Sequence, residues 1–206
     1  MKTLPRLVLF TAGLLALSAL PAFAQGVKTG SPAPSFSLPG SDGKTYSLAD
    51  CKGKVVVLEW FNHQCPIDSI QYQANNLQNL QKQYTGKGVV WFSVLSSAPG
   101  KQGYTDAAGA NSQLTEYNAS PTAVLLDPTG KVGHLYAAKT TPHLFIIGPN
   151  GVIVYQGAID SQLPSSVADV AASDPWFKNA LDATLAGQPV AKGTTKPYGC
   201  SIKYAD

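Results

Sequence analysis

Cysteine is scarce: 206 residues contain only Cys51, Cys65 and Cys200. An odd number leaves at least one thiol without a partner inside the chain, and the spacing fits no zinc site. Charge is also scarce, and it is balanced. Without Lys2 and Arg6, thirteen basic residues face twelve acidic ones, a net charge of +1 that gives no footprint for nucleic acid or anionic lipid. A long apolar run occurs only from Leu7 to Leu20, short for a bilayer. It follows Lys2 and Arg6 and precedes Ala22-Phe23-Ala24, the pattern of a secretory leader over 1–24, cut before Gln25. No cysteine follows the cut, which argues against lipid attachment there. The expected product is periplasmic or secreted, is not inserted in a membrane, and lies where oxidation of thiols is permitted.

About 180 residues remain, enough for one domain with a full core. The short runs 35–38 and 45–48 flank a Pro-Gly-Ser-Asp-Gly turn and predict a hairpin. "KVVVLEWF" (54–61) and "VVWFSV" (89–94) read as strands covered on both faces. Between them Ile67, Ile70, Ala74, Leu77, Leu80 and Tyr84 recur every three or four residues, which predicts one amphipathic helix from Pro66 to Gly86. Strand, helix, strand is the parallel crossover unit. A weak helix follows around 104–120, then a strand in "TAVLLD", a hairpin in "HLFIIGPNGVIVYQG" and a helix from Asp174–Pro175 to Gly187. The prediction is an α/β fold: a single domain at 25–188 and an irregular tail at 189–206 carrying Cys200.

Cys65 stands where a strand meets a helix. Unpaired backbone N–H groups and the helix dipole favour a thiolate there, and Pro66 fits the first turn at no hydrogen-bond cost. This predicts that Cys65 is the most reactive of the three thiols. Cys51 cannot pair with it, because six or seven strand residues at roughly 3.3 Å each hold the two roughly 20 Å apart. Cys200 lies on a tail that could span up to roughly 43 Å, so it could reach Cys65, pair between chains or stay free.

The order of elements, with "GSPAPSFSLPGSDGKTYSLAD", "GKVVVLEWFNHQCP", "TTPHLFIIGPNGVIVYQGAID" and the closing "GCSIKY", resembles the redoxin branch of the thioredoxin superfamily. The resemblance implies a thioredoxin fold, a central mixed sheet flanked by helices with an N-terminal hairpin, and exchange chemistry in which Cys65 attacks a disulfide and forms mixed disulfides with protein or small-molecule thiols. It makes Pro142 a cis-proline that turns Thr141 toward a bound chain, with Trp60 and His63 on the same binding surface. It also makes Glu59 a buried carboxyl able to move a proton. The reach of the tail makes Cys200 the expected resolving or structural partner of Cys65. Asp68 replaces the second cysteine of Cys-x-x-Cys and reads as a first-turn carboxylate whose charge would raise the thiol pKa.

No cofactor and no resident metal are implied. Peroxidase chemistry is an alternative, but the Pro-x-x-x-Thr-x-x-Cys pattern is missing and Arg6 is the only arginine, leaving none to activate peroxide. A copper-handling or redox-inactive binding protein is a further alternative, using Cys65, His63 and Cys200.

Overall fold

The computed structural model describes residues 27–205; the expected leader lies outside them. A hairpin of β1 (Ser37–Pro39) and β2 (Thr45–Ser47) opens the domain, as the turn residues between them predict. The central sheet then takes β3 (Val56–Trp60), β4 (Val90–Leu95), β5 (Ala123–Leu126), β7 (His143–Ile147) and β8 (Ile153–Gly157), in the order β5-β4-β3-β7-β8. The pairs β3–β4 and β4–β5 are parallel, whereas β7 and β8 run antiparallel. Central β3 is buried along its whole length, which is why its sequence is nearly all apolar and β-branched.

Alternation along β3 divides the core. Val57, Glu59 and Phe61 face the layer of Leu77, Tyr84, Trp91 and Phe177, while Val56, Leu58 and Trp60 face Phe36, Phe92, Tyr136 and Phe145. Trp60 was expected on the binding surface, but it is fully buried. Its ring packs on Tyr136 and Phe145 and its Nε1 donates to Ser96 Oγ (3.0 Å). It follows Glu59 by one residue and so points to the opposite face of the sheet.

The expected single helix after Cys65 is two: α1 (Pro66–Gln73) and α2 (Asn76–Thr85). Asn75 breaks it by adopting the left-handed conformation (φ 55°), which Asn tolerates better than most residues, and the Tyr72 carbonyl there accepts from both Asn75 N–H (2.9 Å) and Gln78 Nε2 (2.7 Å). Helix α3 (Ala107–Glu116) starts on its Asp106 cap. Two further helices escape the sequence reading. Five-residue α4 (Lys131–Leu135) is too short for a periodic signal, and the Asp127 carboxylate holds its first turn by accepting from the N–H of Val132 and Gly133. Helix α5 (Val167–Ala172) begins with a capping box, Ser166 with Asp169. Helix α6 (Trp176–Leu185) runs as expected, and Gly187 after it takes a positive φ.

The tail is not loose. Thr195 Oγ1 accepts from the N–H of Ala158, and Tyr198 donates to Asp160, whose other oxygen accepts from Gln71 of α1. Cys200–Ser201 then forms β9, antiparallel to β6 (Thr140–Thr141) with Thr141 opposite Cys200. Beyond it Ile202 N–H reaches Lys139 O, Lys203 O accepts from Ala98 N–H, and Tyr204 stacks on His134 at 4.0 Å. A segment so short and so rich in Gly, Pro and Lys gives no strand signal of its own; its order comes from tertiary contacts.

Candidate active site

Asn62 begins the turn that presents Cys65. Its side-chain oxygen accepts from Gln64 N–H (2.8 Å) and its carbonyl from Cys65 N–H (2.9 Å), so the chain enters α1 with Cys65 at the cap and Pro66 in the first turn. As a thiol, Cys65 donates to the Thr141 carbonyl (3.2 Å). The peptide between Thr141 and Pro142 is cis, as the resemblance implies, and both residues are buried beside the sulfur.

Burial opposes ionisation of Cys65, but hydrogen bonding from the Cys200 thiol, the Asp68 N–H and the Cys200 N–H helps to outweigh it and holds the thiol below its usual pKa. The cost falls on Cys200. Burial, its hydrogen bond to Cys65 and the neighbouring charges of Cys65 and Asp68 push its thiol up to about 12. Cys51 is buried at the entrance to β3, with its own thiol pushed up by burial.

Activation and access are separated. Cys65 has 0% exposure, whereas Cys200 is only half-buried. The sequence signal for a reactive thiol was the helix end, and nothing local reports that the tail covers it.

Two carboxyls lie beneath. Glu59 is fully buried and its pKa is raised by desolvation, although Trp91 Nε1 (2.6 Å), Gln81 Nε2 (3.0 Å), Tyr72 OH (3.0 Å) and Ser93 Oγ (3.2 Å) all donate to it. Both its oxygens are thereby engaged. Asp68 is also fully buried, not a helix-end charge at the surface. Its Oδ2 accepts from Asn62 N–H (2.9 Å), and its Oδ1 has no partner; the nearby Thr141 hydroxyl also lacks one. Desolvation, then the charges of Cys65 and Glu59, raise the Asp68 pKa well above the carboxylate range. The raised pKa favours the protonated form of Asp68, which weakens the opposition to the thiolate that its charge predicted. The burial of Asp68 was the feature missed, and its position in place of a cysteine was the available signal.

A carboxyl whose native pKa is raised contributes stability that is full below the unfolded value near about 4 and is lost as pH rises through the native value. Asp68→Asn removes this loss. In urea melts between pH 4 and 8, the variant should gain on the wild type as pH rises, while parallel profiles would contradict a raised Asp68 pKa.

His63 is half-buried before Cys65, with an unpartnered Nδ1 and a pKa lowered by desolvation against the charge of Glu116. Among the described residues no group of three or more His, Cys, Asp or Glu side chains is placed to hold a metal ion.

Residues 29–156 match the AhpC/TSA family. The chain belongs to that family. Its fold is the thioredoxin fold of the redoxin branch. It is similar to the thiol-disulfide oxidoreductase ResA of Bacillus subtilis, 28% identical over 132 residues that cover 63% of this chain and 67% of that protein. Among solved structures it resembles an uncharacterized conserved protein from Geobacillus kaustophilus (26% identity, TM-score 0.74, 86% of this chain and 93% of the other). It also resembles the exposed lipoprotein thioredoxin of Streptococcus pneumoniae (27% identity, TM-score 0.50, 66% and 97%). Cys65, Asp68 and Pro142 fall inside the family match, and Cys200 falls outside it.

Proposed function

We propose that the chain is an exported thiol-disulfide oxidoreductase whose redox couple is Cys65 with Cys200. In kind it is an oxidoreductase of the redoxin branch. The finer reading is that Cys65 is the thiolate nucleophile of an internal exchange, with the C-terminal tail supplying the cysteine that Cys-x-x-Cys enzymes carry in the helix. One observation carries it. Cys200 faces Thr141 across β6–β9, and Thr141 is the residue whose carbonyl binds the Cys65 thiol.

In this reading protein thiols or small thiols exchange with the couple through a mixed disulfide, and Thr141 and Pro142 shape the surface where they meet it. His63 flanks that surface on the loop before Cys65. Asp68, with its free oxygen beside the couple, is better placed than Glu59 to hold or deliver a proton; Glu59 anchors the layer below. Export is supported by the leader pattern. A peroxidase reading is less well supported, because no arginine follows Arg6.

Equilibration with glutathione redox buffers, followed by mass mapping, tests the couple. A single two-electron transition that links Cys65 to Cys200 is expected, and this internal link is absent from both Cys65→Ser and Cys200→Ser. A wild-type transition that survives in Cys200→Ser would contradict it.

A further inference from the structure

We infer that the sulfur through which this protein meets an outside partner is that of Cys200, and that Cys65 is the internal sulfur which attacks it and departs from it. This rests on the reading that Cys65 and Cys200 form the redox couple. It replaces the sequence expectation that Cys65 meets the partner first.

Enclosure decides the order. Cys65 has no exposed surface, with the Thr141 carbonyl and Cys200 on one side and the start of α1 on the other. Cys200, half-buried, sits on β9, one of the two strands of the β6–β9 sheet. The tail is fastened on both sides of Cys200. Before it, Tyr198 is tied to Asp160 and Gln71; after it, Ile202, Lys203 and Tyr204 are tied to Lys139, Ala98 and Ala138. These ties hold the tail in place over a buried Cys65, whereas Cys200 already has part of its surface exposed.

The chemistry balances along this route. An outside thiolate attacks the Cys200 sulfur of the Cys65–Cys200 disulfide, forms an outside–Cys200 disulfide and expels Cys65 as thiolate. A second outside thiolate then attacks the first outside sulfur, releasing a new disulfide and the Cys200 thiolate, which takes a proton from water. Two outside thiolates lose two electrons in total, and the couple gains them. A sulfur of lower pKa leaves faster, and the donors around Cys65 make it the better leaving group. In the reverse direction the Cys65 thiolate attacks Cys200 in the mixed disulfide and frees the partner's thiol.

Oxidised glutathione serves as the probe, with folded full-length Cys65→Ser and Cys200→Ser variants at pH 7. Glutathionylation is timed by acid quench and located by peptide mass, each adduct releasing one reduced glutathione. Cys200 in the first variant should react at least about tenfold faster than Cys65 in the second, although Cys65 has the greater thiolate fraction. In urea the order should vanish or reverse. Equal or faster reaction at Cys65 in the folded protein would overturn the inference while leaving the couple intact. Failure of the wild type to form a Cys65–Cys200 bond on oxidation by diamide would overturn both.

Discussion

Replacing Glu59 with alanine should lower stability by about 3–5 kcal/mol, the largest single-site effect expected outside the apolar core. The carboxyl is the acceptor for four side chains and is itself fully buried. Gln81 Nε2 can still donate to the Tyr72 hydroxyl (3.0 Å), so that pair retains part of its bonding. Trp91 Nε1 and Ser93 Oγ keep no other acceptor, and each buried group left unmade costs about 1–3 kcal/mol. Loss of the packed side chain adds to this. For a domain of this size the melting temperature should fall by roughly 10 °C. Glu59→Gln keeps one carbonyl oxygen and should fall less. A Glu59→Ala variant within about 1 kcal/mol of the wild type in thermal or urea melts would contradict the anchoring role.

Gly199→Ala should slow closure of the Cys65–Cys200 disulfide by about a hundredfold, because it moves one sulfur away from the other. Gly199 has φ +114°, a region that L side chains rarely adopt, and a Cβ there would lie 2.1 Å from the Thr141 carbonyl oxygen. That oxygen is backbone and cannot swing aside. Strands β6 and β9 must therefore separate where Thr141 faces Cys200, at a local cost of about 1–3 kcal/mol. The rate is read by quenching a glutathione-driven oxidation and counting the remaining thiols. Unchanged kinetics would show that the tail does not position Cys200.

Much of this architecture is legible in the sequence. The buried strands 56–60 and 90–95, the hairpin around Gly148–Gly151 and the helix that starts at Pro66 follow from β-branched runs, turn residues and apolar periodicity. Cys65 at a helix start and Pro142 beside it were likewise readable, the first from local chemistry and the second from resemblance. What escaped was set by tertiary contact. The left-handed turn at Asn75 interrupts an unbroken apolar period, and α4 depends on the Asp127 carboxylate, which belongs to the preceding loop. Trp60 was misplaced because a strand of apolar residues does not say which face each side chain takes. Asp68 shows the same limit from the other side. A carboxyl in a helix's first turn reads as a surface charge, whereas Asp68 is fully buried and accepts from Asn62 N–H. The tail itself, irregular in sequence, becomes the cover of the site only through partners far away in the chain.

The central claim is that the cysteine in the tail completes the active couple begun at Cys65. The most direct measurement is non-reducing proteolysis and mass spectrometry of the folded protein after equilibration in an oxidising glutathione buffer. A linked peptide pair containing Cys65 and Cys200 is expected, with Cys51 recovered as a free thiol. Recovery of Cys200 as a free thiol while Cys65 is oxidised to another partner would contradict it.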